Sequence, residues 1–263
     1  MKLEVLLATM NQVDDSILDT MNVSTDIIVC NQNENCVSYK CYERNEHNVR
    51  WYNFSEKGVG LNRNNALLRA TADICVLADD DIIYNENYDQ IIINAFKLRP
   101  DVDILLFNIH SLPNEKRYIA TKDKRIHRYN CGKFGAVRIA FRRMSVIKNA
   151  VSFNQLFGGG SIFAAGEDTM FIRDCIRKGL KVVAVSDFIL KLNDLRPSTW
   201  FRGYDQKYFE DMGSSYYYHF KSLANLCVML QLFKRRKAIL ENYSFVQAWR
   251  FAKIGIRKFK EMK

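Results

Sequence analysis

A mostly parallel α/β sheet with flanking helices and a carboxyl-terminal helical tail is the fold class that the sequence predicts. Three observations carry it. Short apolar runs alternate with amphipathic stretches, as strands interleaved with helices do. At 263 residues with 48% hydrophobic content, the chain can bury a large core. Three prolines and twelve glycines leave no room for a long low-complexity linker, and no repeat recurs at a fixed period.

The elements follow in order. KLEVLLAT (2–9) and TDIIVC (25–30) read as buried strands, separated by a short helical stretch that starts near Asp14 and Asp15. VRWYNF (49–54) is a third strand. GLNRNNALLRAT (60–71) combines Leu61, Leu67, Leu68 and Ala70 with strong helix formers, and ICVLAD is the strand after it. Tyr88, Ile91, Ile92, Ala95 and Phe96 mark a helix that Pro100 stops, and DVDILLFNI (101–109) returns to strand. GAVRIAFRR (135–143) alternates in the strand manner, EDTMFIRDCIRK (167–178) is a helix closed by Gly179, and KVVAV (181–185) is a strand. Such sheets place their binding loops at the carboxyl edge of the strands.

At one such edge stand Asp79, Asp80 and Asp81, after the apolar ICVL. Adjacent carboxylates disfavour each other's ionisation unless solvent or a cation compensates them. An EF-hand loop would need alternating oxygen ligands and a glycine at its sixth position, whereas Ile82, Ile83 and Tyr84 follow here. A solvated turn and a hard-cation site both remain. EKGVGLNRNN offers Gly58 and Gly60 as G-x-G, but Arg63 stands at the sixth position of a dinucleotide fingerprint and the unit comes third in the chain. What remains is a glycine turn feeding a helix that carries Arg63, a donor suited to a phosphate or a base edge.

Gly58, then Arg63-Asn64 five and six residues on, a helix, and a strand ending in Asp79-x-Asp81 resemble the family 2 glycosyltransferases of the A-type fold (GT-A), whose G-x-x-x-A-R-N and D-x-D motifs bind a nucleotide sugar. The resemblance spans roughly residues 2–190. Asn62 replaces the usual small residue before Arg, Ala66 a common Gly, and Ile82 occupies a place often acidic. It implies that Ala8, Thr9, Asn31, Gly58 and Arg63 line the nucleobase and ribose side of the donor. Family members often carry Asp at the place of Asn31, which leaves the base open. Asp81, helped by Asp79, would hold Mn²⁺ or Mg²⁺, and Asp80 would meet ribose or sugar hydroxyls.

Glu167 and Asp168 open a helix after a glycine run, where the helix dipole by itself favours acids. Alongside the upstream D-x-D they resemble the E-D motif that carries the base in inverting members. Asp168 is then the base and Glu167 an orienting or acceptor-binding residue. With an ordinary pKa of about 3.9, Asp168 would be ionised at neutral pH. Gly159, Gly160, Trp200 and Arg202 are candidates for the acceptor side, although aromatics such as those crowding 198–220 are more often core.

These readings divide the chain into a catalytic domain, 1–195, with a nucleotide-sugar half (about 1–110) and an acceptor half (about 111–195). An aromatic-rich lid and helical segment (196–233) and a basic amphipathic tail (234–263) follow. The tail holds ten of the 39 Lys and Arg against two Glu, so the net charge of +10 falls to about +2 for the rest. A nearly neutral body argues against nucleic acid as a partner. Phe245, Trp249, Ala252, Ile256 and Phe259 recur at helical spacing beside Arg250, Lys253, Arg257 and Lys260, a pattern suited to an anionic membrane surface or to a packed helix with a solvated face.

Seven cysteines without framework spacing, no apolar run of about 18 residues and no signal-like start place the chain in the cytoplasm, peripheral at most on the inner membrane face. The expected activity is inverting transfer from a nucleotide diphosphate sugar, UDP-linked, to a hydroxyl of a glycan acceptor, commonly lipid-linked, as in bacterial capsule, exopolysaccharide or O-antigen assembly. A sugar-nucleotide pyrophosphorylase would need a glycine-rich loop with Lys or Arg after the first strand, and ATMNQVDD has neither. A non-enzymatic membrane or nucleic-acid module would confine activity to 234–263.

Overall fold

In the computed structural model, which describes residues 1–110, 117–193, 203–239 and 241–262, the first apolar run forms β1 (Leu3–Met10). It is buried on both faces, which is why the run is continuous instead of alternating. α1 (Ser16–Thr20) leads to β2 (Asp26–Gln32), then β3 (Ser38–Arg44), β4 (His47–Phe54), α2 (Val59–Arg69), β5 (Ile74–Asp79), β6 (Ile82–Tyr84), α3 (Tyr88–Lys97) and β7 (Ile104–His110). β8 (Lys124–Arg125), β9 (Ile139–Arg142), α4 (Arg143–Lys148), α5 (Glu167–Arg177) and β10 (Val182–Leu192) complete this part.

Among the described residues the sheet order is β3-β4-β2-β1-β5-β9-β7-β10-β6, with β8 on β10. β4, β2, β1 and β5 run parallel, as do β7 and β10. β9 runs antiparallel between β5 and β7. In the register, Ala8 faces both Cys30 and Asp79, and Thr9 faces Asn31, so these residues share one carboxyl edge.

Three expectations change in detail. GAVRIAFRR is a strand only over Ile139–Arg142; a 3-10 turn, Ala136–Arg138, precedes it and α4 follows. β3 was not foreseen, because SYKCYER is largely exposed and its alternation is weak. β6 is short and pairs with the distant end of β10, a contact that local pattern cannot report.

The chain divides into two compact units, Met1–Gln155 with Glu167–Pro197 and Leu156–Gly166 with Ser198–Lys263. In the second unit, α6 (Gln206–Phe220), α7 (Ala224–Lys234), α8 (Arg236–Ile239) and α9 (Phe245–Glu261) share one apolar cluster built on Phe209, Val228, Leu232, Ala248 and Ala252. The described helices of 203–239 and 241–262 therefore pack as one unit, and 156–166 joins them. α6 and α9 touch backbone to backbone. A Cβ on Gly213 would lie 2.0 Å from the Ala252 carbonyl oxygen, and one on Gly255 would lie 1.8 Å from that of Glu210. The Ser214 hydroxyl donates across this seam to the Gly255 carbonyl at 2.9 Å. The apolar side of α9, with Ala248, Ala252, Ile256 and Phe259 buried, thus packs against its own unit.

Candidate active site

The site grows from the carboxyl edge of β1, β2 and β5. Asn31, at the end of β2, is wholly buried. Its carboxamide oxygen accepts from the Gln12 N–H at 3.0 Å, and its amide donates to the Gln12 carbonyl at 2.9 Å and to Asn53 at 2.7 Å. These bonds fix the loop after β1 around Asn31, the residue expected to meet the nucleobase. Thr9 and Gln12 then donate to Asp80 Oδ2, at 2.7 and 3.1 Å. The middle aspartate is thereby tied to the loop after β1, while Ala8 is a buried strand residue beneath it.

Gly58 caps α2 with φ of +112°, a left-handed conformation open to glycine, and its carbonyl accepts from the Gln32 side chain at 3.1 Å. α2 is pressed closely onto its neighbour. A Cβ on Gly60 would meet the Asn154 carbonyl oxygen at 2.4 Å, and Asn64 exchanges two hydrogen bonds with the Phe153 backbone, at 2.9 and 2.7 Å. The Asn of the R-N pair is therefore a structural clamp.

This placement leaves Arg63 only 1% exposed. Its Nη2 donates to Asp79 Oδ1 at 2.6 Å and its Nη1 to Glu167 Oε1 at 2.6 Å. Burial disfavours the guanidinium charge, but Asp79 and Glu167 outweigh it and raise its pKa above the usual arginine value. Arg63, expected on the nucleobase and ribose side, links the acidic triplet to the first turn of α5. Among the described residues its Nε and the Asn62 carboxamide have no hydrogen-bond partner, which is uncommon for buried polar atoms.

The two remaining acids differ from their ordinary behaviour. Asp81 is pushed up to about 6, by burial first and then by the charges of Asp79 and Asp80. Asp168 is half-buried, accepts from the Thr169 N–H, and lies beside Gly135, whose added Cβ would stand 3.8 Å from Oδ2. Burial, and then the neighbouring Glu167 charge, push Asp168 up to about 7. The expectation of a fully ionised Asp168 at neutral pH is thus corrected: desolvation holds it near the value at which a general base works best.

A hard cation suits this donor set. Asp79 and Asp81 offer carboxylate oxygens, and the raised Asp81 pKa marks negative charge that is poorly compensated. Among the described residues no group of three or more His, Cys, Asp or Glu side chains forms a metal cluster. One or two carboxylates are what a site completed by substrate phosphates requires. The cysteines supply no alternative centre; Cys30, Cys75 and Cys175 are buried, and burial raises their thiol pKa values.

Gly159 and Gly160 lie in the second unit, in a loop closed by the Gly158 N–H to the Phe163 carbonyl at 2.8 Å. Trp200 and Arg202 lie outside the described residues. The loop-fixing roles of Gln12, Asn53, Gly60 and Asn64 were missed at the level of sequence. The only local signal was the density of Asn and Gly around 53–64.

No curated protein matches the chain significantly. Among solved structures, S. aureus TarS 1-349 in complex with UDP-GlcNAc superposes with a TM-score of 0.62 over 96% of this chain and 79% of that one, at 13% identity. S. aureus TarS 1-349 in complex with UDP gives 0.57 over 92% and 74%, also at 13% identity. This likeness is one of fold, the GT-A fold. The family model for glycosyl transferase family 2 matches residues 15–156, which include α2 and the acidic triplet and stop short of Glu167. With that match covering more than half of its length, the chain belongs to glycosyl transferase family 2.

Proposed function

We propose that the protein transfers a sugar, with inversion, from a UDP-linked donor to a hydroxyl of a glycan acceptor in bacterial surface polysaccharide assembly. The observation that carries this reading is Arg63, which joins the D-x-D aspartate Asp79 to Glu167 and so puts the donor-side acids and the α5 acids in one site. The choice of UDP is supported by the neighbours of like fold that hold UDP-GlcNAc and UDP.

In the proposed reaction Asp168 accepts the proton of the acceptor hydroxyl as that oxygen bonds to the anomeric carbon. The bond from that carbon to the diphosphate breaks on the opposite face, and UDP leaves with its electron pair. Asp168, held near 7, is basic enough to take the proton and acidic enough to lose it afterwards. Glu167, paired with Arg63, orients the first turn of α5. Mn²⁺ or Mg²⁺, held by Asp81 with Asp79, would supply Lewis-acid stabilisation of charge on the departing diphosphate. Asp80, bonded to Thr9 and Gln12, keeps the triplet in place and presents its remaining acceptor capacity to donor hydroxyls.

The test is release of nucleoside diphosphate from a panel of UDP-, GDP- and dTDP-sugars, with Mn²⁺ and with chelator. Release from a UDP-sugar that stops with chelator supports the reading. Release from no donor, or release indifferent to chelator, rejects it.

A further inference from the structure

α7 is apolar on two opposite faces. Ala224, Val228 and Leu232 are buried in the cluster of the second unit. On the other side, Leu226, Met229, Leu230 and Phe233 are between 45% and 61% exposed. At 100° per residue these four occupy an arc of about 100° on the side away from the buried face. A helix apolar all round normally has something covering it, and an uninterrupted exposed stripe marks a contact surface.

Charge identifies the occupant. Phe233 is followed at once by Lys234, Arg235, Arg236 and Lys237, all exposed, with the Arg236 guanidinium 4.6 Å from the Phe233 ring centroid. Lys221, also exposed, precedes the stripe. Between Asp211 and Glu241 the chain has no acidic residue. A second copy of this surface would bring like charges together. An anionic bilayer surface matches both halves of the pattern, since acyl chains accept the Leu and Phe side chains while headgroups meet the cations.

We propose that the exposed face of α7, with Lys234 to Lys237, docks the protein on anionic membrane. The basic segment after residue 233 thus supplies charge, and the apolar contact comes from α7, not from the covered Phe and Trp side of α9. None of these residues is among those assigned to transfer, so the test stands apart from that of the proposed activity.

The experiment is co-sedimentation of the full chain with phosphatidylcholine vesicles, with and without phosphatidylglycerol, together with sedimentation velocity in the absence of lipid. Wild type is expected to partition onto the anionic vesicles and to be released by salt. Leu230→Glu with Phe233→Glu, and separately Lys234→Glu with Lys237→Glu, are expected to lower partition at least about tenfold, since each basic residue near such a surface contributes about fivefold. Both pairs are exposed, so unchanged thermal unfolding is expected to show that the fold is intact. Absence of wild-type binding, or binding that both variants retain, overturns the proposal. So does a wild-type oligomer that Leu230→Glu with Phe233→Glu converts to monomer without any lipid binding.

Discussion

Arg63 Nη1 stands 2.6 Å from Glu167 Oε1 across 104 positions of sequence, while its other terminal nitrogen holds Asp79. Arg63 of the α2 motif is thus the joint between the two acidic motifs. Its burial makes the pairing strong and its loss costly.

Arg63→Met leaves Asp79 and Glu167 without their shared cation in a buried setting. A loss of about 3–5 kcal/mol in urea unfolding is expected, because breaking a buried ion pair strands the remaining charges. Arg63→Lys keeps the charge but cannot hold both carboxylates with a planar fork, so it is expected to recover only part of that loss. Equal stability of Arg63→Met and wild type would remove the joint.

The raised Asp168 pKa sets a pH dependence for the rate. The base must be deprotonated, so kcat/KM is expected to climb about tenfold per pH unit below about 7 and to level off above it. Asp168→Asn is expected to lower it by about 10²–10⁴-fold and to abolish that limb.

Stability should move the other way. A carboxyl whose folded pKa of about 7 lies above its unfolded value of about 3.9 binds its proton more tightly in the folded state. Its favourable contribution is present at low pH and is lost as pH rises from about 4 to about 7. At about pH 8, Asp168→Asn is therefore expected to be more stable than wild type, by on the order of 1–3 kcal/mol, in denaturant titrations.

Asp81→Asn is expected to raise the Mn²⁺ concentration needed for half-maximal UDP release at least tenfold, roughly the lower end of what disturbed metal sites lose. Chelator is expected to stop release by wild type, and added Mn²⁺ to restore it.

In the second unit, Gly213→Val forces a side chain into the Ala252 carbonyl and is expected to cost about 3 kcal/mol or more, read from urea unfolding. Gly179→Ala, where no atom lies within 4 Å of the added Cβ but φ is +87°, is expected to cost less, near the 1 kcal/mol scale of backbone strain alone.

Much of the fold was legible because its strands are short apolar runs buried on both faces. Leu3–Met10, Asp26–Gln32 and Ile74–Asp79 could be read from composition alone. β3 and β6 could not, since their pairing partners, not their own patterns, make them strands. The acidic residues of the site were legible as motifs, but their neighbours were not. Arg63 looks the same in sequence whatever it faces, and its pairing with Asp79 and with the first turn of α5 is set by the tertiary structure. The surroundings of Asp168 likewise include the segment carrying Gly135, which lies more than thirty positions away and leaves no local signal. The tail left two readings open for a related reason: an apolar stripe announces a partner without saying whether it is α6 or a lipid surface.

The central claim is that Asp168 acts on the acceptor in the same site where the triplet holds the donor. It is tested most directly by measuring UDP release in a single turnover, alongside calorimetric UDP-sugar affinity, for wild type and Asp168→Asn. Donor affinity within about twofold of wild type with release reduced at least about a hundredfold is the expected result. Release at the wild-type rate by Asp168→Asn would contradict the account.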